Sequence, residues 1–336
     1  MKNILVVGGA GYIGSHTVIE LVNAGYTPII LDDFSNSEKS VLPRLKKILG
    51  TDILCIELDY QDSLRLEQLF EEHKIDGVIH FAAFKSVSES VADPLKYYKN
   101  NVSGFVGLLD VLSKHKIDKL VLSSSAAVYG QPAEEVVIEE AVCNPTSPYG
   151  WSKYFDEIIL NDFSKSNADF RSTALRYFNV VGAHSSGLIG EMPIGKPQNL
   201  LPVIVQSITT KNRLTIFGDD YPTKDGTCER DYVHVTDLAK AHVSALDRLF
   251  DTKTDFSVYN IGTGKPTSVL ELIGTFEKAN KVKVDYAVGP RRPGDPAGFY
   301  ASAKKAKQEL NWHSEKTIED AVKDAWDWQN TLNKEG

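Results

Sequence analysis

Tyr149-Gly150-Trp151-Ser152-Lys153 sets a phenol four residues before an ammonium, and Ser125 stands 24 residues upstream. On a helix that spacing puts the two side chains on one face, one turn apart. A free tyrosine has a pKa near ~10 and is a poor base at neutral pH. A neighbouring Lys⁺ favours the phenolate, and a second cation close by favours it further. Moving a phenol to ~7 takes roughly 4 kcal/mol of differential stabilisation, within reach of two close positive charges. The chemistry expected is proton removal from an alcohol. Tyr149 acts as base, Lys153 lowers its pKa, and the Ser125 hydroxyl orients the reacting oxygen.

The start of the chain supplies a reason to expect the second cation. Ile4-Leu5-Val6-Val7 reads as a strand, Gly8-Gly9-Ala10-Gly11-Tyr12-Ile13-Gly14 as a turn, and Ser15 to Ala24 as a helix. That is the order a dinucleotide site requires. Gly8 allows the tight turn, Gly11 lets the backbone approach a pyrophosphate, and Gly14 lets helix pack on strand. The helix N-terminus offers unpaired N–H groups and a positive dipole end to the phosphates. Pro28-Ile29-Ile30-Leu31 is a second strand ending at Asp32, 18 residues past Gly14, where an acid binds the adenosine ribose. A carboxylate there repels a 2′-phosphate, and residues 33 to 37 hold no Arg or Lys to receive one. NAD is therefore expected, not NADP.

These residues need a frame. Strands are expected at 3–7, 27–31, 53–57, 77–81, 118–123 and 171–177, and helices near 12–24, 62–73, 94–115 and 148–166. Their alternation predicts an α/β fold with a doubly wound parallel sheet of Rossmann type. After about residue 180 the periodicity weakens through two loop-rich stretches, Gly182 to Leu201 and Gly218 to Gly226. Long loops in a compact domain are usually functional. Regular pattern returns at 236–250, 257–261 and 268–280. The expected division is an NAD-binding domain over 1–180 that also receives about 236–262, and a smaller α+β substrate-binding domain over 181–336. Ligands of such sheets bind outside the carboxyl ends of the strands, where Ser125, Phe178 and Asn179 fall.

Composition narrows the partners. The 336 residues are 42% hydrophobic and 24% charged, enough for a sizeable core. A net charge of −8 argues against nucleic acid or an anionic membrane surface. No apolar run approaches the roughly 20 residues that span a bilayer, and a cytoplasmic protein is expected. Cys55, Cys143 and Cys228 have neither metal-ligand spacing nor a disulfide framework, so reduced thiols and no metal are expected. His80 and His234 sit in apolar contexts and read as buried, hydrogen-bonded histidines.

The glycine spacing, the Tyr149/Lys153 pair and the upstream Ser125 resemble the extended short-chain dehydrogenase/reductase family. The likeness runs the whole length and is closest to its sugar-nucleotide 4-epimerase branch. It is carried by His80-Phe81-Ala82-Ala83, Asn100-Asn101-Val102, Ser123 to Gly130, Ser147-Pro148-Tyr149 and Leu175 to Asn179. It continues through Ile216-Phe217-Gly218, Arg230 to Val235 and Arg291-Arg292-Pro293-Gly294-Asp295. The resemblance implies NAD contacts from Gly8, Gly11, Tyr12, Ile13, Gly14, Asp32, Asp33, Asn36, Ser37, Asp59 and Tyr60. To these it adds Phe81, Ala82, Ala83, Lys85, Asn100, Ser125, Tyr149, Lys153 and Phe178. It implies UDP-hexose contacts from Lys85, Ser125, Tyr149, Asn179, Asn199, Leu200, Thr215, Ile216, Phe217, Arg230, Arg292, Asp295 and Phe299. Planar guanidinium forks suit phosphate on independent grounds.

The implied reaction is redox-neutral. Hydride leaves the sugar 4-carbon for NAD, the 4-keto sugar turns, and hydride returns to its other face. A 4,6-dehydratase shares the first step but carries acidic residues where this chain has Ala126-Ala127. An epimerase of N-acetylated UDP-sugars is a nearer rival. A non-catalytic dinucleotide sensor is disfavoured by the retained Tyr/Lys pair. A homodimer through segments near 94–113 and 150–165 is also implied.

Overall fold

The computed structural model describes residues 1–195, 197–252, 255–292 and 296–335. Seven parallel strands form the large sheet. Across it they run Phe256–Ile261, Arg171–Tyr177, Lys119–Ser125, Gly77–His80, Asn3–Val7, Thr27–Asp32 and Leu54–Glu57. Five of these strands coincide with the expected ones to within a residue or two, and Lys119–Ser125 runs two residues past its expected end.

The sheet's burial pattern follows from its two-residue side-chain period. Ile4, Val6, Ile30, Ile79, Val121 and Leu175 share one apolar core with Val18 and Leu21 of the Tyr12–Asn23 helix and Leu238, Ala241 and Leu246 of the Val235–Asp251 helix. Leu5, Val7, Ile29, Val78, Leu120, Leu122 and Ala174 point the other way. They meet Leu66 and Leu69 of the Ser63–Glu72 helix, Leu108 and Leu112 of the Gly104–Lys114 helix, and Leu160 of the Pro148–Ser166 helix. Strands covered on both faces read as continuous apolar runs, as these do.

The helical stretch expected near 94–115 forms as an unbroken run over 94–114, but its winding changes along the way. Pro94–Tyr97, a wide-turned π segment at Tyr98–Ser103 and Gly104–Lys114 make it up, preceded by a short helix at Val87–Ala92. The widened turn coincides with Asn100 and Asn101. Asn101 is buried and bonds the Phe84 N–H at 2.9 Å, the Phe84 carbonyl at 3.1 Å and the Ser152 hydroxyl at 3.0 Å. π segments cluster where side chains are re-aimed at a functional cleft.

Beyond residue 178 a second core gathers Val181, Leu201, Ile204, Ile216, Leu272, Phe276 and Val322. Asn179–Val181 pairs with Glu229–His234, which pairs antiparallel with Pro266–Ser268. Leu214–Phe217 pairs with Tyr286–Gly289. Between these pieces the chain returns to the large sheet, since Phe256–Ile261 lies beside Arg171–Tyr177 over six residues, with the Val235–Asp251 helix against the sheet face.

Candidate active site

Asn3–Val7 has Thr27–Asp32 on one side and Gly77–His80 on the other, so the order of connections reverses at this strand. A crevice opens there at the carboxyl ends, as doubly wound sheets dictate. The residues that follow the two strands, Gly8 and Phe81-Ala82, form its floor.

Gly8 has φ +80°, and a Cβ on it would lie 2.8 Å from the Ala82 backbone nitrogen. A Cβ on Gly14 would strike the Gly8 carbonyl, so both positions exclude a side chain. Gly11 has open space apart from that same carbonyl, and it caps the Tyr12–Asn23 helix with no side-chain partner for the first turn. The free N–H groups and dipole of that end suit a pyrophosphate. The cradle therefore fits a dinucleotide.

Asp32 ends its strand 7% exposed. Oδ2 accepts the Ala10 N–H at 2.9 Å, and Oδ1 accepts the Phe34 N–H at 3.0 Å and the Ser37 hydroxyl at 2.7 Å. Burial raises its pKa, and these hydrogen bonds oppose the rise. Phe34 takes φ +58°, which turns the 33–37 loop around the carboxylate. Lys39, the nearest following cation in sequence, is paired with Glu57 at 2.5 Å.

The cleft has a volume of about 710 Å³. It brings together Gly8, Gly11, Tyr12, Ile13, Gly14, Asp32, Asp33, Asn36, Ser37, Tyr60, Phe81, Ala82, Ala83, Lys85, Asn100, Asn199, Tyr149 and Lys153. Asp59 is not on its wall and turns back to accept the Gln61 N–H at 2.9 Å. Arg44, Tyr177, Glu191 and Trp328 line the cleft without having been marked by the sequence. Of these, Glu191 lies inside the 182–201 stretch whose length had suggested function.

Tyr149 and Lys153 open the Pro148–Ser166 helix, capped by the Ser147 hydroxyl on the Gly150 N–H at 3.2 Å. Ser125, at the end of Lys119–Ser125, faces the Tyr149 hydroxyl and also accepts the Ala127 N–H at 3.2 Å. Lys153 directs its ammonium to the Ser123 carbonyl at 2.9 Å. Burial pushes the phenol above its ordinary value, the Ser125 hydroxyl opposes this, and the Asp156 charge adds to it. The geometry makes Tyr149 a proton donor and acceptor beside Ser125.

Beneath the pair lies a buried charge cluster. Lys153 is 2% exposed; burial lowers its pKa while Asp156 and Glu157 raise it. Glu157 is clasped by Arg176, with Nε to Oε1 at 2.9 Å and Nη2 to Oε2 at 2.6 Å, and by the Ser124 hydroxyl. Asp156 Oδ1 has no hydrogen-bond partner; burial raises the Asp156 pKa, and the Lys153 charge opposes the rise. His80 is buried, with a pKa lowered to about 3 by burial. Its Nδ1 has no hydrogen-bond partner. His234 does bond, to Asp324 at 3.2 Å and to the Thr236 N–H at 3.1 Å.

The remaining candidates stand outside the cleft wall. Phe178 and Phe299 meet edge to face at 5.7 Å. The Arg292 guanidinium lies 4.6 Å over the Phe217 ring, whereas Arg291 is tied to Asp220 at 2.6 Å. Arg230 donates to the carbonyls of Glu229 and Pro296 at 2.7 and 3.1 Å. Asp231 spends its oxygens on Thr263, Gly264 and Ala301. Asn179 is exposed, Leu200 begins the Leu200–Thr209 helix, and Thr215 and Ile216 lie in Leu214–Phe217. Asp295 lies outside the described residues.

Among the described residues no cluster of three His, Cys, Asp or Glu could hold a metal, and no helix is long and apolar enough to cross a membrane. Cys55, Cys143 and Cys228 form no disulfide with one another.

Fold and site together define an extended short-chain dehydrogenase/reductase. A family model described as GDP-mannose 4,6 dehydratase matches residues 5–325. UDP-glucose 4-epimerase 2 of Arabidopsis thaliana is 48% identical, covering 97% of this chain and 95% of its own. The crystal structure of UDP-glucose 4-epimerase from Stenotrophomonas maltophila, with bound NAD and formylated UDP-arabinopyranose, superposes with a TM-score of 0.98 at 44% identity over both whole chains. That of Bifidobacterium longum, in complex with NAD⁺ and UDP, gives 0.94 at 46% identity and 99% coverage of each. The chain belongs to the UDP-glucose 4-epimerase family.

Proposed function

We propose that this protein is an NAD-dependent 4-epimerase interconverting UDP-glucose and UDP-galactose through a transient 4-keto sugar, as in galactose metabolism. The observation that carries it is the meeting of Tyr149 and Lys153 with the glycine cradle and Asp32 in one cleft, with Ser125 against Tyr149. Relatives bearing that name along the whole chain support it, as do relatives crystallised with NAD.

The chemistry that NAD would supply when bound is reversible hydride transfer at the sugar 4-carbon. The chain's own residues do the rest. Tyr149 takes the proton from the 4-hydroxyl and gives it back, with Ser125 orienting that oxygen. Lys153 fixes the nicotinamide ribose, and Asp32, with Asp33, Asn36, Ser37 and Tyr60, holds the adenosine half. Lys85, Asn179, Asn199, Leu200, Arg230 and Arg292 hold the UDP handle. The division of labour is an NAD-binding part over 1–180 with about 236–262, and a sugar-nucleotide part in the remainder.

The dehydratase in the matched model's description needs further acid/base groups beside the base. Ser125 is followed instead by Ala126 and Ala127, which supports epimerisation. Incubation with UDP-galactose should yield UDP-glucose without added cofactor, and heat-denatured protein should release close to one NAD per chain. Release of mostly NADP, or less than about a tenth of an equivalent, would contradict the reading of Asp32.

A homodimer is part of this proposal. Leu108, Leu109 and Leu112 are buried in the protein's own core. Phe155, Ile158 and Val106 face solvent at 37, 41 and 47% exposure, and Phe155 packs beside Trp151 and Tyr98 at ring distances of 5.5 and 6.1 Å. An aromatic and aliphatic patch on adjacent helices suits an isologous four-helix contact. Light scattering should give about twice the 37.2 kDa chain mass at micromolar concentration; a persistent monomer would refute it.

A further inference from the structure

The cleft that is to receive an anionic ligand carries an anion of its own on its wall, Glu191. Glu191 Oε1 accepts the Lys85 ammonium at 3.1 Å and the Asn199 amide at 3.2 Å. Its side chain is 11% exposed, against 55% for Lys85. The Glu191 carbonyl takes the indole N–H of Trp328 at 3.1 Å, which fixes the residue to the Ile318–Glu335 helix. One turn of loop further, Gln198 and Ser86 bond each other at 2.8 and 3.0 Å. Two contacts thus tie Glu191 and Gln198 to Lys85 and Ser86.

Of the other acids on the wall, Asp32, Asp33 and Glu38 lie at the ribose-binding end, and Glu89 is engaged by Lys96 and Tyr97 at 2.6 and 2.8 Å. Glu191 differs in holding the two side chains, one from each edge, that are read above as contacts of the UDP handle. We infer that Glu191 is a built-in competitor for the ligand's diphosphate: it keeps Lys85 and Asn199 oriented, and UDP-sugar binds by displacing its carboxylate from them. The inference rests on the assignment of Lys85 and Asn199 under the proposed function.

The physical content is a balance between two anions for one set of donors. With the Lys85 side chain more than half exposed, solvent screens its pair with Glu191 and displacement is cheap, yet the carboxylate's charge still opposes a diphosphate in the same cleft. An enzyme that must bind its handle firmly and still release product gains from such a counterweight. Glu191→Gln retains an oxygen acceptor for Asn199 and removes the charge.

The test is calorimetric titration of UDP into the NAD-containing enzyme. Glu191→Gln should tighten Kd about three- to tenfold at low salt, with the gain shrinking as salt screens the charge. KM for UDP-galactose should fall in parallel while kcat does not rise. In Lys85→Met the same glutamine change should have little effect, because the contested donor is gone. An equal or weaker Kd in Glu191→Gln, or a lowered Tm with UDP affinity unchanged, would overturn the inference and leave Glu191 a structural brace. Failure of the wild-type enzyme to bind UDP would instead remove the functional reading and the inference with it.

Discussion

Replacing Tyr149 by Phe should lower the turnover of UDP-galactose by a factor of about 10² or more while UDP binding and the fold persist. The ring's burial is kept, and only the hydroxyl facing Ser125 is lost. Because burial holds the phenol above its ordinary pKa, the wild-type rate should also rise with pH through the neutral range as the phenolate fraction grows. Lys153→Met removes a different function. It deletes the cation that balances Asp156 and grips the Ser123 carbonyl, so it should slow the reaction and loosen the cofactor together. A loss below about tenfold in Tyr149→Phe, measured at saturating UDP-galactose, would mean that another group moves the proton.

The sequence carried the sheet and the cofactor half of the cleft because each has a local cause. Val6-Val7 into Gly8, and Leu31 into Asp32, are strand-to-turn junctions whose residue types are dictated by the backbone they must form. They lie on the wall where their order along the chain put them. What was not legible depends on contacts between distant segments. The direction of Lys153 is set by the Ser123 carbonyl, on another strand, and no spacing within 149–153 encodes it. Glu191 and Trp328 come to the cleft from segments 137 residues apart, joined by one hydrogen bond. The π turn inside the helical run over 94–114 was hidden for a similar reason: Asn101 bonds across to Phe84 and Ser152, a tertiary demand that no local pattern encodes.

Phe299 offers the sharpest test of which sugars enter. In Gly298-Phe299-Tyr300 the glycine and the phenylalanine take different tasks. A Cβ on Gly298 would press on Glu229 at 3.0 Å, so the glycine packs against backbone. The Phe299 ring instead meets Phe178 at 5.7 Å, beside Ala126, Tyr129 and Ala301. Two aromatic rings in edge-to-face contact form a stiff wall that offers an acetamido group no hydrogen bond. Forcing extra atoms against such a wall costs about 1–3 kcal/mol, or roughly ten- to a hundredfold in rate or affinity. UDP-N-acetylglucosamine should therefore be turned over at least about tenfold less efficiently than UDP-glucose. Phe299→Cys should narrow that gap by opening the wall, with a smaller effect on the glucose and galactose pair. Equal wild-type kcat/KM for both sugar pairs would show that Phe299 does not border the hexose, whatever the cysteine variant does.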